Sequence, residues 1–289
     1  MRTVPYDSSR TALYRPSAAA PMLRAGPCSD ELLCAEASRL VYKRFESSAM
    51  AAQEIRLMFR SLGFDQMEFF DCAGSQAFAA AHPAATLICF RGTTRSLNDI
   101  VTDLKIWPRQ WPLGGRAHAG FCTAFNRLCA ALDHWLIDHP GRRLLTGHSL
   151  GGALATLAAS VYKPARLITF GTPRVGDGDF CAALEGVEWL RYVDCCDLVA
   201  RVPPELLGFC HRGELRYIDR HGAIHSDPPV DFIKEDSRLG RSEYRREEAP
   251  RPGAVKLRDL ADHAPANYIY PVSALDTFQS ADRRASHGL

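Results

Sequence analysis

Gly147-His148-Ser149-Leu150-Gly151 sets one serine between two glycines in the spacing G-x-S-x-G. Before it, Arg143-Leu144-Leu145-Thr146 reads as a strand. After it, Ala153-Leu154-Ala155-Thr156-Leu157-Ala158 reads as a helix. A strand-to-helix turn this tight strains the backbone at its middle residue, and the small Gly147 and Gly151 keep neighbouring backbones from clashing there. The Ser149 hydroxyl is then held above the sheet edge. The first N–H groups of the helix aim at whatever lies over it, so Leu150 N–H is a natural donor to an oxyanion. This is the arrangement for nucleophilic attack on a carbonyl carbon. The competing reading is an ordinary glycine-rich turn with a capping serine; a dinucleotide loop fits poorly, because G-x-G-x-x-G is absent here.

A serine hydroxyl is a weak nucleophile and needs a base, and the base needs a group that orients it. With a serine in this kind of turn the chain order is serine, acid, histidine. The histidines after Ser149 are His211, His221, His225, His263 and His287. His263 follows a predicted helix near the end of the ordered chain, where a last connection should return to the top of the sheet, and position favours it. The acid belongs just past a strand end, where Asp194 and Asp197 both follow Trp189 to Val193; on the residues alone the two are tied. His82, His118, His134 and His139 precede the serine and read as structural or exposed. His221 and His225 share a strand face at i, i+4, but no acidic ligand pattern accompanies them, so no metal and no cofactor is expected.

These residues must be positioned by a layered scaffold. Short apolar runs at Met67 to Phe70, Gln76 to Ala80, Thr86 to Phe90, Leu144 to Gly147, Leu167 to Phe170 and Trp189 to Val193 read as strands. Helical spacing appears after the N-cap Ser29 and over 51–62, 119–137 and 150–162. Alternation of strand and helix predicts an α/β fold with a mainly parallel central sheet and helices on both faces. Glu214 to Ile218 and Ala223 to His225 flank Asp219-Arg220-His221-Gly222 as a hairpin. Residues 1–27, rich in Pro, Ala and Ser, read as a flexible tail; 28–275 as one domain; 276–289 as a frayed end. Residues 234–251 are dense in both charge signs and read as a solvated loop. A last helix is expected over 254–262. Leu97, Ile100, Val101 and Leu104 fall at i, i+3, i+4, i+7, with polar residues between them, as in a short amphipathic helix stopped by Pro108.

The 289 residues carry 35 Lys and Arg against 33 Asp and Glu, a formal net charge of +2. That balance argues against a dedicated nucleic-acid binder. Residues 144–162 hold no formal charge, yet their Thr, Ser, His and Gly make them too polar for a lipid-facing span. No apolar run follows the basic start, so no ordinary secretory signal is read, and the expected location is cytoplasmic, or exported by a route independent of a signal peptide. The ten cysteines contain no C-x-x-C pair and read as reduced, mostly buried thiols, with Cys195 and Cys196 as two free thiols at a strand end.

Across roughly residues 30–270 the chain resembles the class 3 lipase family, α/β-hydrolases similar to filamentous-fungal triacylglycerol lipases. Thr146-Gly147-His148-Ser149-Leu150-Gly151-Gly152 is close to the family's nucleophile segment, and Phe90-Arg91-Gly92-Thr93 to its oxyanion segment. His118-Ala119-Gly120-Phe121 and Thr169-Phe170-Gly171-Thr172-Pro173-Arg174-Val175-Gly176 match two further segments. Asp197-Leu198-Val199 with Val202-Pro203-Pro204 resembles the acid segment, and Asp262-His263 with Tyr268 the histidine segment. The resemblance implies an α/β-hydrolase fold and a carboxylic ester hydrolase of lipase type, with Ser149 as nucleophile, His263 as base and Asp197 as its orienting acid. It implies Thr93 and Leu150 as oxyanion donors, Asp103 as a structural acid, and a lid carrying Leu97, Ile100, Val101 and Leu104. A lipid or ester substrate and a transient contact with a membrane or lipid-droplet surface follow from it. Ile100 stands where many relatives carry a lid tryptophan, which leaves smaller soluble esters in play. A phospholipase, including an exported effector, and a small-ester or feruloyl-type esterase share the same triad; a non-catalytic hydrolase-fold binder is the reading from another class.

Overall fold

The computed structural model describes residues 4–24, 26, 28–93 and 107–286. Its centre is an eight-stranded sheet. In chain order its strands are β1 (Gln66–Cys72), β2 (Ser75–His82), β3 (Ala85–Phe90), β6 (Arg143–His148), β7 (Arg166–Phe170), β8 (Glu188–Asp194), β9 (Glu214–Ile218) and β10 (Ile224–Ser226). They lie side by side in that same order. β3, β6, β7, β8 and β9 pair parallel. β1 and β2 at one edge and β10 at the other pair antiparallel, through tight hairpins. A separate ribbon joins β4 (Pro108–Gln110) to β5 (Arg116–His118).

Alternation along each strand divides the core between two faces. Ile88, Phe90, Leu145 and Leu167 pack with Phe125, Leu128 and Leu132 of α4 (Ala119–Asp138) and with α5 (Leu150–Tyr162). Leu87, Cys89, Leu144, Ile168 and Phe170 face the other way, toward α2 (Asp30–Leu40) and α3 (Ala49–Ser61). α5 is buried from Gly151 through Ser160 because the sheet and α4 enclose it. Its apolar character on every side is that of a core helix. Among the described residues no helix is long and apolar enough to cross a membrane.

Four segments differ from the sequence reading. The segment 1–27, expected to be a flexible tail, is a folded strap over residues 4–24. Ser9 caps α1 (Arg10–Tyr14) by accepting from Ala12 N at 3.1 Å, and a 3-10 turn follows at Pro16–Ala18. Tyr6 donates to Asp262 Oδ1 at 2.6 Å, Val255 N donates to Ser8 O at 2.8 Å, and Asp7 N donates to Asn267 Oδ1 at 2.8 Å. The buried Arg39 guanidinium donates to Pro16 O at 3.3 Å and Ala19 O at 2.8 Å. Proline and alanine content suggested disorder; the strap is fixed instead by polar anchors and by burial of Ala12, Leu13 and Pro16.

The charged stretch 234–251 is helical almost throughout, within α7 (Val230–Glu247). Its ion pairs are local, such as Glu235 with Arg238, while Asp236, Ser237, Gly240 and Tyr244 face inward every three to four residues. The tail expected to fray from 276 instead continues as backbone helix, in α9 (Pro265–Ser286). The helix expected over 254–262 is only one turn, α8 (Arg258–Ala261), which leaves His263 in the short connection to α9. Between β7 and β8 lies a further short helix, α6 (Gly178–Ala182).

Candidate active site

Ser149 stands at the turn between β6 and α5 with φ 60° and ψ −130°, one of a few non-glycine residues at positive φ. Such a conformation is costly and persists only where surroundings impose it. Here they do. Ser149 N donates to Phe170 O of β7 at 2.9 Å, and Ser149 O accepts from Gly152 N at 3.0 Å. The flanking glycines leave no room for side chains. A Cβ on Gly147 would lie 2.3 Å from the Gly151 carbonyl carbon, and one on Gly151 would lie 2.1 Å from Phe90 O. A Cβ on Gly152 would meet Thr172 Oγ1 at 1.9 Å. Glycine at all three positions is therefore a packing requirement of the turn.

Asp197 and His263 come together from 66 residues apart, Asp197 Oδ2 lying 2.8 Å from His263 Nδ1. Both are buried. A carboxylate accepts only, so Nδ1 carries the proton and Nε2 is left to accept one. Asp197 is itself oriented: Tyr268 donates to Oδ2 at 2.5 Å and Val199 N donates to Oδ1 at 2.8 Å. At Asp194, the other acid the residues allowed, the backbone N donates to Tyr268 Oη at 3.1 Å. Burial and the neighbouring Asp197 carboxylate push the Tyr268 phenol well above its ordinary value, so it stays a donor.

Ser149 Oγ and His263 Nε2 are buried and have no hydrogen-bond partner among the described residues, each other included. Both residues line one cavity of about 440 Å³, with Tyr42, Arg44, Thr93, His148, Pro265 and residues 13–18 of the strap. Serine–histidine bonds in unliganded sites are often open and tighten only around a substrate. Leu150 is the first residue of α5, where an N–H has no carbonyl a turn behind it. Thr93 is the last described residue beyond β3 and reaches the same cavity. Leu97, Ile100, Val101, Asp103 and Leu104 lie outside the described residues.

Of the other histidines, His118, His211, His221 and His225 have partners outside this triad. His211 is buried against Ala200 O at 2.8 Å, with its basicity lowered first by burial and then by Arg191. His225 bonds Asp219 in the hairpin at 2.9 Å, where His221 N also donates to Asp219 Oδ1. His118 accepts from Phe121 N at the start of α4. Cys195, Cys196 and Asp262 lie close enough to share a cation. Asp262 is already taken, however: it accepts from Arg258 Nε at 2.9 Å, from Cys196 N at 2.9 Å and from Tyr6.

Three contributors escaped the sequence reading. Gly171 has φ +56°, and a Cβ there would lie 2.6 Å from Asp197 Oδ2 and 3.0 Å from both His263 Nδ1 and Tyr268 Oη. It is the floor on which the acid–base pair rests. His148 is pinned between Tyr42 Oη at 2.9 Å and His263 O at 2.8 Å. A carbonyl can only accept, so His148 Nε2 donates to His263 O and Nδ1 accepts from Tyr42. Burial, and then His263, hold His148 below its ordinary basicity, consistent with that neutral form. The third is the strap, whose only advance signal was the Ser9 cap before Ala12 and Leu13.

With this geometry in view, residues 87–207 match the family model described as lipase (class 3). A lipase of Rhizomucor miehei is 34% identical over 149 residues, spanning 45% of this chain and 41% of its own. The secreted mono- and diacylglycerol lipase 1 of Fusarium solani is 34% identical over 133 residues, 42% of this chain and 39% of its own. This chain thus spans about two fifths of the length of those curated relatives. The crystal structure of a lipase from Rhizopus microsporus var. chinensis superposes with a TM-score of 0.55 at 21% identity, over 75% of this chain and 90% of that one. That likeness establishes the α/β-hydrolase fold.

Proposed function

We propose that this chain, whose residues 87–207 match the class 3 lipase family model, is a serine carboxylic ester hydrolase of lipase type. One observation carries the reading. A strained serine and a histidine oriented by a buried carboxylate present Oγ and Nε2 to the same cavity, each free to engage a substrate.

Ser149 Oγ attacks the ester carbonyl as His263 Nε2 takes its proton. The imidazolium so formed keeps its Nδ1–H on Asp197, whose charge stabilises it, while Tyr268 and Val199 N hold the carboxylate still. The tetrahedral oxyanion is received by Leu150 N–H and Thr93, at the positive end of α5. On collapse the alcohol leaves with the proton from His263, and the acyl group remains on Ser149. Water, deprotonated by His263, attacks the acyl-enzyme and releases the acid by the same steps reversed.

Acylglycerols and related lipid esters are the proposed substrate class, as the names of the relatives suggest. Leu206 is 98% exposed and Trp107 72% exposed, and Leu207 and Pro108 share one cleft. Apolar side chains left outside the core in this way suit a transient contact with a lipid surface. The test compares wild type with Ser149→Ala on p-nitrophenyl butyrate and on dispersed diacylglycerol, with circular dichroism on both proteins. Loss of both activities by about 1,000-fold or more at unchanged fold is expected. Equal hydrolysis by the two proteins would overturn the reading.

A further inference from the structure

Resting on that reading, we propose that Arg15 and Arg44 form a cationic rim over the cavity and select acyl esters whose headgroup is anionic, a phosphodiester above all.

Among its described lining residues the cavity has two arginines, Arg15 and Arg44, and no carboxylate. Arg15 is exposed, but its backbone is not loose. Arg15 N donates to Thr11 O at 2.8 Å, Ala18 N donates to Arg15 O at 2.9 Å, and Arg39 grips Pro16 O and Ala19 O just beyond. The strap therefore fixes the Arg15 backbone at the rim of the cavity that Ser149 lines. Arg44 comes from the turn after α2. Its side chain is 75% exposed, with Nε 3.3 Å from Glu46 Oε1. Glu46 does not neutralise the rim, because it also accepts from the buried Arg91 at 2.9 Å. Glu46 thus divides its charge between Arg44 and Arg91. The N-terminal end of α5 adds partial positive charge on the same side.

A neutral acylglycerol headgroup gains nothing from this field. A phosphodiester oxygen pair matches the planar fork of a guanidinium, and the contact adds orientation as well as attraction. Released fatty-acid carboxylate has the same charge and is the other chemistry the rim could hold.

The test uses full-length protein and monomeric, short-chain substrates, so that surface charge of an interface plays no part. Dihexanoyl phosphatidylglycerol is compared with dihexanoylglycerol as a ratio of kcat/KM, in wild type, in the double variant Arg15→Gln with Arg44→Gln, and in the double lysine variant. Wild type is expected to prefer the phospholipid. The glutamine variant should lose roughly 3- to 10-fold of that ratio, the range for two exposed ionic contacts, and lysine should restore part of it. Glycerol 3-phosphate should inhibit wild type competitively, and the glutamine variant less. An unchanged ratio, or inhibition by hexanoate and not by glycerol 3-phosphate, would overturn the rim while leaving ester hydrolysis intact. Hydrolysis of neither substrate by wild type would strike the hydrolase reading itself.

Discussion

At the residue scale, the site is built from groups that each hold one other group. His263 is oriented at Nδ1 by Asp197 and at its carbonyl by His148, and Asp197 is held by Tyr268. Removing the Tyr268 hydroxyl leaves the Asp197–His263 contact in place but loosens it. Tyr268→Phe should lower kcat on p-nitrophenyl butyrate by about 10- to 150-fold, the worth of one hydrogen bond to a charged group, with KM little changed. Gly171→Ala should do far more. It forces a Cβ within 2.6 Å of Asp197 Oδ2 at a residue already at positive φ. Steady-state kinetics should show a kcat loss of about 100-fold or more, as expected when reacting groups move by an ångström. A Gly171→Ala enzyme with wild-type kcat would remove Gly171 from the account.

At the element scale, the sheet, the turn around Ser149 and the hairpin were legible because each rests on local chemistry. Runs such as Leu87-Ile88-Cys89-Phe90 have both faces covered, and Gly147 and Gly151 fit the backbone of a tight turn. The residues alone left Asp194 and Asp197 tied, since both follow the same strand. The tie depends on where Tyr268 and His263 arrive from, which is a tertiary matter. The strap was illegible for a related reason. Its order comes from partners such as Asp262, Asn267 and Arg39, far along the chain, and not from its own periodicity. Likewise α7 has a narrow inward stripe that its charges obscure. The strap also explains why Glu36 and Arg39 are buried as an ion pair on the face of α2 turned toward it, 2.8 Å apart. Arg39→Met strands the Glu36 carboxylate and should cost about 3–5 kcal/mol. For a chain of this size that is a fall of roughly 6–12 °C in Tm, to be read by differential scanning fluorimetry.

At the scale of the whole molecule, two buried histidines couple stability to pH. His148 and His211 are both held below their ordinary basicity, chiefly by burial. Below about pH 6.5 the unfolded chain takes up protons that the folded chain resists, so stability falls as pH drops through that region and is regained above it. Urea midpoints measured between pH 7.5 and pH 5 should decline, and His211→Asn should flatten the decline. Carboxylates such as Asp30 and Asp219, held below their usual range despite burial by their partners, enter only at lower pH. The whole fold converges on one reactive atom, Ser149 Oγ, and covalent capture of that atom tests the account most directly. Wild type is treated with a fluorophosphonate, and the adduct is located by intact and peptide mass spectrometry. One equivalent on Ser149, slowed in Asp197→Asn by several orders of magnitude in step with ester hydrolysis, is the predicted result. An adduct on another residue, or full ester hydrolysis by an enzyme already blocked at Ser149, would contradict it.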